Sequence, residues 1–311
     1  MTLTSDSATF LWGTSAEVAA AAHENSPAFR LCREGGAFAP VAQHFDFLPK
    51  QASRTISRNG RAVATCWTDD DADYCMIAGV LPPDLSASRG EQASAAFLQL
   101  ENVLSEAGMA FANVVRTWLY IDNVCDWYGE FNAARTAFFN KRKVFETFLP
   151  ASTGIGCANL DGAALTAGAF AMKPRRSGVR AEIVESPLQA PAMAYKSSFS
   201  RAAEWITPSS RRLFVSGTAS IQPNSHEVAY VGDIEKQVEC TMNAVRAILE
   251  SRDYGWSDAT RAIVYLKRPE FRKAWREWLV AHGLPVTFAA ETVCDVCRDE
   301  WLFEIELDAR R

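Results

Sequence analysis

The chain repeats itself, and that repetition limits its fold more than any other feature. Residues Met76-Ile77-Ala78-Gly79-Val80 and Phe214-Val215-Ser216-Gly217-Thr218 are both apolar runs that reach a glycine. Helical spacing follows each run: Ala96, Leu100, Val103 and Ala107 in the first copy, Val238, Met242, Val245 and Leu249 in the second. Both helices lead into a strand, over residues 115–121 and 260–266. Laid over each other without gaps, these strands place Arg116 on Arg261 and Tyr120 on Tyr265, an offset of 145 residues. An aromatic-rich helix follows over 128–139 and 271–280, and a closing strand over 163–172 and 301–307. The predicted order is strand, strand, helix, strand, helix, strand, twice. Such a unit makes an antiparallel or mixed sheet with helices on one face, an α+β fold. Ligand sites commonly form where two units meet.

A length of 311 residues suits two domains. The first repeat is expected over 60–173, a linker over 174–190, and a second repeat carrying the main site over 191–311. The boundary falls in the basic, proline- and glycine-bearing stretch Lys173-Pro174-Arg175-Arg176-Ser177-Gly178. Residues 1–59 are read as an N-terminal extension, either separate or part of the first domain. With 48% hydrophobic residues the chain is too apolar for disorder. It has no apolar run of about 18 residues, the length a membrane span needs. The opening Met1-Thr2-Leu3-Thr4-Ser5-Asp6-Ser7 lacks a basic-then-apolar leader, so a cytoplasmic location is expected. A net charge of −5 argues against a nucleic acid partner.

Eight cysteines spread along a chain of this length read as reduced thiols rather than a disulfide framework. Cys294 and Cys297 form a C-x-x-C pair, but the four histidines are scattered and supply no companion ligands. The segment then runs into strand-like alternation instead of a helix, which disfavours a redox motif. No metal and no cofactor are expected. Asp69-Asp70-Asp71-Ala72-Asp73 lacks the glycine and closing glutamate of a calcium loop and reads as a hairpin turn. Nucleophile-elbow, zinc-protease and P-loop motifs are absent from the sequence.

In the last strand, Phe303, Ile305 and Leu307 share one face, while Leu302, Glu304 and Glu306 share the other. If the glutamate face turns inward, burial raises the carboxyl pKa and makes a general acid. If it turns outward, it is an ordinary wet face. Arg116, Arg212, Arg261 and Arg298 lie in or beside strands and suit recognition of a small carboxylate-bearing substrate, or surface ion pairs. Ser216-Gly217-Thr218-Ala219-Ser220 ends a strand on small residues that let a ligand approach the backbone, or that simply turn the chain.

Two segments carry a family likeness: residues 214–221 and 295–306, the latter Asp-Val-Cys-Arg-Asp-Glu-Trp-Leu-Phe-Glu-Ile-Glu. Arg116-Thr117-Trp118-Leu119-Tyr120 and Pro150-Ala151-Ser152-Thr153-Gly154-Ile155-Gly156 add to it. Together they resemble the YjgF/RidA (Rid) superfamily, and the two-repeat layout resembles its chorismatase-like branch. The resemblance covers roughly residues 60–308. It implies a chorismate-mutase-like unit in each repeat, with trimers, or a pseudo-trimeric arrangement of repeats, holding sites at the clefts. It further implies either chorismatase-like release of pyruvate from an enol ether by acid catalysis, or Rid-type hydrolysis of imines and enamines. By match to family motifs, Glu304 and Cys297 are the candidate catalytic pair. Arg116, Tyr120, Gly217, Ala219 and Arg298 match substrate-site positions, and Arg212 and Arg261 join them as candidate carboxylate ligands. The arginine of simple imine hydrolases falls near Glu291 and Thr292, so that clamp is missing or moved. A non-catalytic metabolite-binding protein is the third expectation.

Overall fold

The computed structural model describes residues 8–21, 26–32, 41–45, 53–195, 197–223, 225 and 227–311. The chain begins with β1 (Ala8–Gly13), α1 (Ser15–Ala21), β2 (Ala28–Cys32) and β3 (Val41–Phe45). The next unit holds β4 (Arg54–Arg58), β5 (Arg61–Thr68), β6 (Ala72–Val80), α2 (Arg89–Glu106), β7 (Val114–Ile121) and α3 (Val124–Lys141). It closes with β8 (Ala151–Gly156), β9 (Ala158–Asn159) and β10 (Leu165–Pro174). The last unit contains β11 (Arg180–Val184), β12 (Ala202–Ile206), β13 (Arg211–Ala219), α4 (Ile234–Glu250), β14 (Ala259–Leu266), α5 (Arg272–Ala281), β15 (Ala290–Val293) and β16 (Phe303–Arg310).

The two larger sheets share one strand order, β4-β5-β6-β10-β7-β8 and β11-β12-β13-β16-β14-β15. Each is mixed: the outermost strand runs parallel to its neighbour, β8 on β7 and β15 on β14, and the other pairs are antiparallel. The order predicted from periodicity gives four strands per unit and omits both edge strands of each sheet, β4 and β8 in the first and β11 and β15 in the second. β8 (ASTGIG) has no long apolar run, and β15 is four residues long, so both depend on the strand beside them. The segment read as linker includes β11, which forms the edge of the last sheet. The aspartate run makes the β5–β6 turn, where Asp69 Oδ1 accepts from the amides of Asp71 and Ala72 at 2.8 and 2.9 Å.

Each sheet buries one face under its own helices. Ala93, Ala96, Leu100 and Val103 of α2 and Phe131 and Phe139 of α3 pack with Ile77, Val114, Leu119 and Ala169. Val238, Met242 and Val245 of α4 and Trp275 of α5 pack with Val215, Val264, Phe303, Ile305 and Leu307. Helix α2 starts on a capping box, with Ser88 Oγ accepting from the Glu91 amide and the Glu91 carboxylate accepting from the Ser88 amide.

The opposite faces of both sheets point into a third core, shared with the N-terminal strands. There Phe10, Trp12, Phe29 and Leu31 meet Trp118, Tyr120, Phe170, Trp205, Phe214 and Tyr265. The small N-terminal sheet, β3-β1-β2-β9, is thus the third wall of a three-sided barrel. Gly168 of β10 is required by that closure: a Cβ there would lie 2.2 Å from Phe29 Cζ and 2.5 Å from the Ile77 carbonyl oxygen. No helix among the described residues is long and apolar enough to cross a membrane.

Candidate active site

The edge of the first large sheet meets the middle of the second at β8 and β13. Ser152 donates its amide to Ser216 Oγ at 2.9 Å, and Gly217 donates its amide to Thr153 Oγ1 at 3.1 Å. Ser216 Oγ donates in turn to the Ser200 carbonyl at 2.6 Å. Further along, Gly156 and Asp295 exchange both backbone hydrogen bonds, at 2.6 and 3.0 Å. Between these points opens a small cleft of about 60 Å³. Its floor is Gly217, Ala219 and Glu304. Its walls are Tyr128 and Arg135 from α3, Phe199 and Arg201 before β12, and Cys297, Arg298 and Trp301 before β16.

Glu304 is the only carboxylate among the lining residues. Strand alternation sends Phe303, Ile305 and Leu307 to the helices and Glu304, Glu306 and Asp308 to the opposite face. The Glu304 carboxyl lies so close over Gly217 that a Cβ at that position would stand 2.1 Å from its Oε1. Burial and the neighbouring Glu306 charge push it up to about 8, against smaller opposing pulls from Arg116 and Arg201. At neutral pH it therefore carries its proton and can donate it.

The cleft is otherwise cationic. Two guanidiniums lie against the Phe199 ring, Arg135 at 5.9 Å and Arg201 at 5.7 Å from its centroid. Arg135 donates to Asn132 Oδ1 at 2.5 Å, and Arg201 donates twice to the Ala190 carbonyl at 3.0 and 2.8 Å. Arg298 lies 5.1 Å over the Trp301 ring, whose indole N–H donates to the Ser220 carbonyl. Desolvation, with Glu304 adding to it, pushes the Cys297 thiol up to about 12 despite the hydrogen bond with Tyr128. It lines the cleft as a neutral thiol. Cys294 points into the barrel core and is not bonded to it.

Of the residues chosen from sequence, the structure brings together Glu304, Cys297, Gly217, Ala219 and Arg298. It takes Arg116, Tyr120 and Arg261 elsewhere. Their side chains face the barrel core, where Arg116 Nη2 meets Glu306 Oε2 at 3.1 Å and Arg261 Nη1 meets Glu306 Oε1 at 2.7 Å. Arg261 Nε also pairs with Asp308 Oδ2 at 2.7 Å, and the hydroxyls of Tyr120 and Tyr265 touch at 3.2 Å. In the structure Arg116 and Arg261 are internal charge partners, because inward strand arginines need acids and β16 supplies them, and Tyr120 is paired with Tyr265. Arg212 sits opposite Arg310 at the far end of β13 from Gly217 and is not among the residues that line the cleft. Glu291, where simple imine hydrolases carry arginine, is itself buried and bound by Arg272 and Arg276 at 2.5 and 3.1 Å.

Sequence reading gave no site role to Arg201 and Phe199, and noted Tyr128 and Arg135 only as part of a segment, 122–142, that resembles generic Rid sequences more than chorismatases. The available signal was the alternation of aromatic and cationic residues in Phe199-Ser200-Arg201 and across one face of α3.

The repeat explains why this cleft carries the acid. By strand register Gly79 and Gly217 are counterparts, as are Thr166 and Glu304, and Gly168 and Glu306. The cleft beside Gly79 has no acid at the matching place. A Cβ on Gly79 would lie 2.2 Å from the Ala28 carbonyl oxygen, so the N-terminal strand occupies that space.

Two tandem α+β units, a barrel shared between them and a buried acid at their junction define a duplicated enzyme-like scaffold with its cleft inside one chain. The profile of the endoribonuclease L-PSP family matches residues 71–167 and again 190–311, and the chain belongs to that family, also known as YjgF/RidA. Among solved structures, a chorismatase crystal structure is 20% identical, covers 99% of this chain and 94% of its own, and superposes with a TM-score of 0.71. Escherichia coli TdcF with bound serine is 18% identical over 42% of this chain and 98% of its own, with a TM-score of 0.33. The E. coli YjgF gene product gives 18%, 42%, 98% and 0.33. A search of curated protein sequences finds no match.

Proposed function

We propose that this chain is a cofactor-independent, chorismatase-like enzyme that removes pyruvate from a small carboxylated enol ether by acid catalysis. One observation carries the reading: a buried Glu304, its carboxyl pushed up to about 8, lodged against the Gly217 backbone at the floor of a cleft lined by three arginines. Glu304 gives its proton to the terminal methylene carbon of the enolpyruvyl group. The positive charge that develops at the ether carbon is quenched by water, and the resulting hemiketal collapses to pyruvate and an alcohol. The proton lost by water returns to Glu304, so the acid is regenerated. Arg135, Arg201 and Arg298 hold the carboxylates, and the neutral Cys297 and Tyr128 shape the wall. The fold likeness to a chorismatase supports the choice of substrate class. The chain's own three-walled core supports a pseudo-trimer within one molecule.

The test is incubation of purified protein with chorismate and enzymatic measurement of pyruvate. The expected result is steady release, reduced by about 10²- to 10⁴-fold in Glu304→Gln. No release above that variant would overturn the reading. Membership of the YjgF/RidA family favours imine or enamine hydrolysis as the second reading. Ammonia released faster than background from an imine made in situ by an amino-acid oxidase would support it. Thermal stabilisation by chorismate without turnover would instead mark a binding protein.

A further inference from the structure

The inward face of β16 presents three acids in succession, Glu304, Glu306 and Asp308, each about 6.7 Å from the next along the strand. Facing them from the barrel core are two guanidiniums, Arg116 from β7 and Arg261 from β14. All five groups are at most 7% exposed, so solvent does little to settle their charges. The pairing leaves one acid over. Glu306 takes both arginines and two further donors, the Trp118 indole at 2.9 Å and the Tyr265 hydroxyl at 3.3 Å. Asp308 takes Arg261. Glu304 lies at the cleft end of the row and shares in neither ion pair. Around it stand Tyr128 from α3, Arg201 before β12, Gly217 from β13, and Cys297 and Arg298 before β16.

We propose that Glu306 is a positioning residue: its charge, fixed by Arg116 and Arg261, keeps the proton on Glu304 and so makes Glu304 the acid of the cleft. The row is a charge count built into the sheet. Burial disfavours the charged form of all three carboxyls, and both guanidiniums of the row are committed to Glu306 and Asp308. The acid that shares in neither ion pair, with only the smaller pulls of Arg116 and of Arg201 from the cleft, takes the proton. The same count explains a difference between the repeats. The first repeat keeps Arg116 but has Gly168 and Thr166 in place of Glu306 and Glu304, so its arginine reaches across to the partner repeat's acid.

This inference rests on the proposed role of Glu304, and its test needs no substrate. Difference infrared spectra of wild type against Glu304→Gln isolate the Glu304 carboxylic acid carbonyl stretch from about pH 5 to about pH 10. In wild type the acid band should be present at neutral pH; its absence there overturns the proposal outright, whatever the variants do. Glu306→Gln removes the fixed negative charge and frees two cations, so the Glu304 titration should fall by about one pH unit or more. Arg116→Gln should move it the opposite way. Combining the two restores a surplus of one acid, and the titration should return towards that of wild type. A folded Glu306→Gln protein with an unmoved titration, or shifts of the same sign in both single variants, would also overturn it. Shifts as expected without pyruvate release would leave the charge row standing and remove only the chorismatase-like reading.

Discussion

Gly217 and Glu304 exclude any larger pair of side chains at the floor of the cleft. A methyl group on Gly217 would stand 2.1 Å from Glu304 Oε1 and 3.3 Å from Thr153 Cγ2. The first contact is with the end of a side chain, which can swing away, so Gly217→Ala should fold and displace the acid. Misplacement of a reacting group by about 1 Å costs on the order of 10²-fold, and pyruvate release should fall by about that factor with little change in urea midpoint. Glu304 also links stability to pH. Its carboxyl is raised from the ordinary 4.5 to about 8 in the folded protein. Between those values the native state keeps a proton that the unfolded chain gives up, so stability falls as pH rises through the window. Glu304→Gln lacks that loss. The two proteins should be similarly stable below about pH 4.5 and diverge in favour of the variant up to about pH 8, by a few kcal/mol in all. Urea titrations at a series of pH values would read this directly; parallel curves would mean the carboxyl is ionised in the fold.

At the scale of elements, Gly168 shows how one repeat was adapted to receive a third wall. Its missing side chain is the space that the tip of the Phe29 ring enters. Gly168→Ala should push β2 off the sheet and cost about 1–3 kcal/mol, seen as a lower urea midpoint with an unchanged slope. The strand–helix–strand rhythm of each unit was legible because α4 is strongly amphipathic, α2 repeats apolar residues at helical spacing, and β7 and β14 are apolar runs that match across the repeat. Alternation along residues 301–307 places Glu304 and Glu306 on one face of an otherwise apolar strand but does not say whether that face turns inward, and only the family-motif match singles out Glu304. The arginines were only half legible. Arg116 and Arg261 match across an offset of 145 residues, which correctly marks them as equivalent. Their partners, Glu306 and Asp308, come from a strand some 190 residues later in one case and 47 in the other. Nothing local in β7 shows that an acid will arrive there, and an arginine waiting for a ligand reads the same as one waiting for a strand.

At the scale of the whole molecule, the N-terminal strands complete a barrel that the two repeats leave open on one side. Phe10, Trp12, Phe29 and Leu31 are almost wholly buried against Trp118, Tyr120 and their neighbours. Phe10 packs edge-on to Trp118 at 5.5 Å and Trp12 edge-on to Tyr120 at 6.3 Å. Burying a side chain of this size is worth about 1.5–3 kcal/mol, so these four supply roughly 6–12 kcal/mol before ordering costs. That matches the whole net stability of a typical domain, about 5–15 kcal/mol. The arginine at the heart of the charge row is covered by the same wall, since the Arg261 guanidinium lies 5.1 Å over the Phe10 ring. A chain starting at residue 53 should therefore lose more than its first sheet. It should expose the aromatic faces of β7 and β14, bind a hydrophobic dye at neutral pH, and elute as aggregates or self-associated copies. Water should also reach Glu306 and Arg261, and the Glu304 titration should drift back towards the ordinary carboxyl range. A truncated chain that remains monomeric, binds no dye and keeps the wild-type infrared titration would show that the two repeats close the barrel without the third wall.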